Sequence, residues 1–178
     1  ASSLPQNHAI SVAANHNRLC GTGEPWQWDG VSFEFLYPPP AAYNDADAKD
    51  NDLSCVLRIV SPYGSVLLPG DIEKRSESRL LQFPENLRAD LLIAPHHGSR
   101  TSSTPGFVHA VSPGLTVFSV GYRNQFGHPH PEVNARYRQA GSRTLRTDVS
   151  GALLIDMNKA GVQVRSWREV DRKYWAGH

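Results

Sequence analysis

Apolar and polar residues alternate over Trp26-Gln27-Trp28 and again over Val31-Ser32-Phe33-Glu34-Phe35-Leu36-Tyr37, on either side of Asp29-Gly30. That pattern predicts a β-hairpin with Val31, Phe33 and Phe35 on one face. Pro38-Pro39-Pro40 ends the strand, and residues 41–53, with four Asp, are expected to form a solvated loop whose spacing is not that of a calcium site. Strands are expected over 54–60 and 65–68, joined by Ser61-Pro62-Tyr63-Gly64, and a surface helix over 72–83 that stops before Pro84. Residues 90–94 and 115–120 are continuous apolar runs, as buried strands require. Between them Thr101-Ser102-Ser103 is expected to cap a helix in which Phe107, Ala110 and Val111 share a face. Pro131 and Gly141 bracket another helix, with Val133, Tyr137 and Ala140 inward. Closing strands are expected over 144–147, 152–157 and 162–167, the last two joined by a turn at 158–161; residues 1–27 are weakly patterned, and the tail after Arg168 is expected to fray. Strands and helices alternate after residue 54, so the fold class is α/β with a mostly β lead-in, in a single domain spanning 1–178.

Composition narrows the class. A chain of 178 residues can bury a sizeable core, and 39% hydrophobic with 20% charged residues is a globular composition and not a disordered one. No run approaches the roughly 20 apolar residues of a membrane span, and Ala1-Ser2-Ser3-Leu4-Pro5-Gln6 has neither the basic start nor the apolar centre of a signal peptide. Net charge is +1, but the first half is acidic and the second basic and rich in Arg, which suits either a phosphate backbone or a solvated face. Cys20 and Cys55 are too few for a disulfide framework. A buried free thiol is the default for Cys55, and a Cys20–Cys55 bridge, which needs an oxidising compartment, is the alternative.

Chemistry gathers where apolar strands stop. Leu67-Leu68-Pro69-Gly70 delivers Asp71, and Leu91-Leu92-Ile93-Ala94-Pro95 delivers His96-His97-Gly98-Ser99. The ends of α/β strands are where ligands bind. Asp71 alone reads as a helix cap; beside paired imidazoles it reads as the oxygen ligand of a metal site. On an extended segment adjacent side chains diverge, so only one His is expected to be a direct ligand and the other to touch it or the substrate. His128-Pro129-His130-Pro131 resembles an H-x-H site, but His130 stands where a helix cap belongs, which leaves His128 as a supporting or substrate contact. Ser99 lacks a nucleophile elbow and an acidic orienter, which argues against serine hydrolysis. His8, His16, His109 and His178 have no supporting context.

Taken in order, Trp26 to Val31, Asn51 with Ser54-Cys55-Val56-Leu57, Leu67 to Ile72, Pro95 to Ser99, and Gly121-Tyr122-Arg123-Asn124-Gln125-Phe126-Gly127-His128-Pro129 resemble the metallo-β-lactamase-like domain of ComEC-type competence proteins, DNA-uptake channels of the bacterial inner membrane. The resemblance runs from about Cys20 to Gly151. It implies the C-terminal portion of an αββα sandwich, with Asp71 and His97 as catalytic and metal-ligating residues, His96, Ser99, Asn51 and His128 around them, and Cys20 and Cys55 as a disulfide. It further implies DNA as the partner, with Arg136, Arg138, Arg143 and Arg146 contacting it, and the remainder of the membrane channel as a second partner. A soluble domain on the extracytoplasmic side is expected. An intact domain would be a metal-dependent nuclease whose divalent metals, Zn or Mn, lower the pKa of a bridging water; a non-catalytic DNA-binding or assembly domain is the rival. The superfamily's His-x-His-x-Asp-His run is absent from these 178 residues. The chain is therefore expected to start downstream of it, to bind metal weakly or not at all, to be inactive alone, and to expose sheet edges through which a second copy could associate.

Overall fold

The computed structural model describes residues 12–13 and 19–170. Expectations for residues 1–11 and beyond Val170, and for His8, His16 and His178, lie outside the described residues. Among the described residues seven strands form one sheet whose spatial order is the chain order: β1 (Trp26–Trp28), β2 (Val31–Tyr37), β3 (Val56–Ser61), β4 (Gly64–Leu68), β5 (Leu91–Ile93), β6 (Leu115–Phe118) and β7 (Arg143–Arg146). Pairings from β1 to β4 are antiparallel and from β4 to β7 parallel. The sheet is thus mixed, and the α/β class expected from the alternating pattern is the one observed.

Each parallel step needs a crossover, and each crossover is a helix. α1 (Lys74–Leu80), α2 (Pro105–Val111) and α3 (Pro131–Gln139) all lie on one face of the sheet. Leu67, Leu92 and Phe118 point from β4, β5 and β6 into the core they share with Phe107, Val111 and Tyr137. The opposite face carries Leu91, Leu115 and Val117, covered by a separate antiparallel hairpin, β8 (Leu153–Asn158) and β9 (Gly161–Ser166), through Leu153, Ile155, Met157 and Val164. Over β1 and β2 that same face presents Trp26 stacked on Phe33 at 5.3 Å. Two single turns, α4 (Thr147–Ser150) and α5 (Trp167–Val170), flank the hairpin. Among the described residues no helix is long and apolar enough to cross a membrane.

Several local expectations are corrected. The loop before β3 is not simply solvated: it forms 3-10 turns at Pro40–Asn44 and Asp50–Leu53, Asp52 is buried, and Arg75 bridges Asp45 and Asp52 at 2.8 and 3.4 Å. α1 is no plain surface helix, because Glu77 on its inner face is fully buried. The cap of α2 is Thr104, three residues later than Thr101, with its side chain accepting from Phe107 N. Ala140 is exposed beyond the end of α3, leaving Val133 and Tyr137 as its inner stripe.

Candidate functional site at the ends of the parallel strands

Three loops leaving the carboxyl ends of β4, β5 and β6 meet at one edge of the sheet. The first carries Asp71. Gly70 precedes it at φ +60, where a Cβ would come within 3.1 Å of Ser54 Cβ, and the Asp71 amide donates to Ser54 Oγ at 3.2 Å. Ser54 adjoins Cys55, which is joined to Cys20 as a disulfide with Cα atoms 5.9 Å apart.

The second loop is the 3-10 turn Pro95–Gly98. His96, His97 and Gly98 all have positive φ, at 47, 56 and 83. This is a left-handed turn and not the extended segment expected, and it is locked at both ends: His96 N donates to Gly70 O at 3.0 Å, and Gly98 O accepts from His130 N at 2.9 Å. The two imidazoles go to different partners. His97 Nδ1 donates to the Ser119 carbonyl at 2.7 Å, which leaves its Nε2 facing Asp71 Oδ1 at 3.6 Å. A carbonyl only accepts, so the proton sits on Nδ1, and Nε2 offers the carboxylate either a second proton or a lone pair with room for a shared cation. His96 Nδ1 lies 3.3 Å from Glu73 Oε1. That oxygen also accepts from Thr101 Oγ1 at 2.9 Å and Asn51 Nδ2 at 3.4 Å.

The third loop brings His128, whose ring lies 6.0 Å from that of His96. Burial, and then the neighbouring imidazoles of His96, His97 and His130, hold the His128 ring below the ordinary histidine range, so it favours the neutral form. Between this loop and His97 opens a cleft of about 210 Å³ lined by Val120, Asn124, Phe126 and His128.

Asp71, His96, His97, His128 and Asn51 are therefore brought together. Ser99 is buried behind them, its hydroxyl bonding Thr101 Oγ1 at 3.0 Å, which in turn donates to Glu73. Glu73 and Thr101 were not foreseen; an acidic residue two positions after Asp71 was the one available signal for Glu73. Of the four arginines, Arg136 donates to the Ser103 carbonyl and Arg146 pairs with Asp148, while Arg138 and Arg143 are exposed. Lys74 after Glu73, Arg100 after Ser99, and Arg123 in the third loop are also exposed. Among the described residues no group of three or more His, Cys, Asp or Glu side chains is arranged to hold a metal ion. Asp71 and His97 supply two donors, short of the three protein ligands usual for a catalytic zinc, so the residues present do not by themselves fit a catalytic metal.

The chain is 43% identical over 151 residues to Competence protein ComA of Neisseria gonorrhoeae, covering 84% of the chain and 21% of that protein. The chain is similar to competence proteins. Recombination protein 2 of Haemophilus influenzae is 31% identical over 155 residues, 86% of the chain and 19% of that protein. ComE operon protein 3 of Bacillus subtilis is 34% identical over 106 residues, 60% of the chain and 14% of that protein. The chain thus spans about a fifth or less of these relatives' length. No protein-family model matches it.

Proposed function

We propose that the chain is a DNA-handling domain of a competence system, and that the turn carrying His96 and His97, with Asp71 opposite, is where it meets the phosphodiester backbone. The observation that carries this reading is the left-handed turn itself. Two successive non-glycine residues at φ 47 and 56 each cost on the order of 1–2 kcal/mol, and such strain persists where the surroundings compel it, which is characteristic of functional sites. Exposed Lys74, Arg100 and Arg123 on the site's loops suit a polyanion, and the similarity to competence proteins supplies the biological setting. The Cys20–Cys55 disulfide favours an extracytoplasmic placement of the domain, within the αββα architecture of the metallo-β-lactamase-like resemblance.

A second reading, that the intact protein is a metal-dependent nuclease, is favoured by one specific feature: His97 Nε2 and Asp71 Oδ1 face each other at 3.6 Å with no hydrogen bond between them. In that reading Asp71 and His97 would be two of the residues holding a divalent cation such as Zn or Mn, which would supply activation of a water molecule. No hydrolytic step is assigned to these residues. Oligonucleotide binding followed with and without Mn²⁺ separates the readings. If Asp71 and His97 hold a cation, Mn²⁺ strengthens DNA binding by the wild type, and Asp71→Asn removes that response. If they do not, Asp71→Asn strengthens binding in EDTA by removing a repelling charge and Mn²⁺ makes no difference. A chain that binds no DNA under either condition sinks the proposal.

A further inference from the structure

The third site loop carries two large aromatic side chains that the core does not use. Tyr122 and Phe126 are 67% and 72% exposed, and exposed rings of that size on a loop beside a cleft call for a partner. The loop is not slack. Asn124 closes it internally, its Nδ2 donating to His128 O at 2.8 Å and its Oδ1 accepting from His128 N at 2.8 Å. Arg123 and Gly127 take left-handed conformations at φ 54 and 66, which turn the chain so that the aromatics stand outward. The rings also form a series leading out of the site: His96 meets His128 edge-on at 6.0 Å, and Phe126 lies nearly parallel to His128, 5.9 Å away at 23°. The outer face of Phe126 is the open end of that stack. Arg123 and Arg168 both lie over the Tyr122 ring, at 5.2 and 5.9 Å, so Tyr122 already gathers two cations beside the same surface and Phe126 is the ring left open.

Resting on the DNA-handling reading, we propose that the Tyr122–Phe126 loop is a base-stacking platform that selects single-stranded DNA. An unpaired base would lie against Phe126 at the mouth of the cleft, with Tyr122 and Arg123 receiving its neighbour and the connecting phosphate. Stacking on aromatic side chains is tolerant of sequence because every base has a π-face, and it discriminates against duplex, whose bases are already stacked and paired. The cleft of about 210 Å³ beside Phe126, lined also by the His97 and His128 imidazoles, suits a planar ring. Charge complementarity points the same way. Arg123 in this loop is exposed, and exposed Lys74 lines a second cleft with Glu73 and Thr101, the residues beside His96.

The test is fluorescence anisotropy of a labelled oligothymidylate and of a labelled duplex, titrated with the full chain in EDTA so that no cation takes part. Wild type, Tyr122→Ala, Phe126→Ala and Phe126→Trp are compared, with circular dichroism confirming the fold; both positions are exposed, so folding is expected to survive. The expected result is tighter binding of the single strand than of the duplex, a loss of about 5- to 100-fold in single-strand affinity for each alanine variant, retention by Phe126→Trp, and little change for duplex. Alanine variants that match a wild type still binding DNA would overturn the stacking platform and leave the DNA-handling reading intact. A wild type that binds neither DNA removes both. Sedimentation with phosphatidylglycerol vesicles, lost in the alanine variants while DNA binding is unchanged, would assign the loop to a lipid surface and overturn the proposal.

Discussion

Gly98 shows how tightly the site turn is held. At φ +83, a Cβ there would stand 2.7 Å from the Phe118 ring and 2.7 Å from Pro129 Cβ. Left-handed strain and overpacking add for Gly98→Ala, and urea unfolding is expected to show a loss of about 2–5 kcal/mol. An unchanged midpoint would mean that the turn adapts and that the conformation of His96 and His97 is not imposed by the core. Asp71 and His97 were legible in the sequence because an apolar strand interrupted by a ligand-type side chain is a local signal. Glu73 and Thr101 were not, because their meaning lies in a bond between residues 28 apart in the chain that no periodicity records. His96 and His97 were found but their geometry was not: the alternation rule presumes an extended backbone, and the locks from Gly70 and His130 replace it with a left-handed turn.

At the scale of elements, α1 secures the loop between the site turn and α2 with a buried carboxylate. Glu77 accepts from the amides of Ser103 and Thr104 at 2.5 and 2.8 Å, Arg136 on α3 donates to the Ser103 carbonyl, and Tyr137 donates to Ser103 Oγ at 2.9 Å. Ser103, at φ 59, is thus gripped through its amide, carbonyl and hydroxyl. Glu77→Ala strands two buried amides and leaves Arg136 without its counter-charge, at an expected cost of about 2–5 kcal/mol. Burial pushes the Glu77 carboxyl above its ordinary 4.5, outweighing the bonds that favour its charged form. A raised carboxyl contributes its full stability below the ordinary value and loses it as pH climbs through the raised one. Wild type is therefore expected to lose stability relative to Glu77→Gln as pH rises above about 4.5, in urea midpoints measured across pH; a constant difference would place Glu77 at its ordinary value. The helix itself was legible from its flanks, Asp71 and Pro84. Its charged inner face was not, since Glu77 reads as solvent-facing until its amide partners 26 and 27 residues away are known.

At the scale of the molecule, the Cys20–Cys55 bridge ties the approach to the hairpin to the start of β3, directly beneath the Asp71 loop. Closing a loop with a sequence separation of 35 is worth about 3–4 kcal/mol on the chain-entropy account. Reduction by dithiothreitol is expected to lower the unfolding free energy by that amount; no change would show that the bridge carries no part of the stability. The α/β class was open to inference because strands and helices alternate after residue 54 and several are closed by Pro or Gly; the strand order was not, because no local pattern records which strands pair. The division of the sheet into a helix-covered face and a hairpin-covered face was not, because Leu91 and Leu92 are equally apolar and only the pleat sends them to opposite sides. That the sheet's spatial order is its chain order has a kinetic corollary. Each strand, as it is synthesised, finds its neighbour already in place, so contacts form between near segments and loop-closure entropy stays small. Such a sheet can grow vectorially from its first hairpin, with the three loops of the site arriving one after another onto a template that already exists.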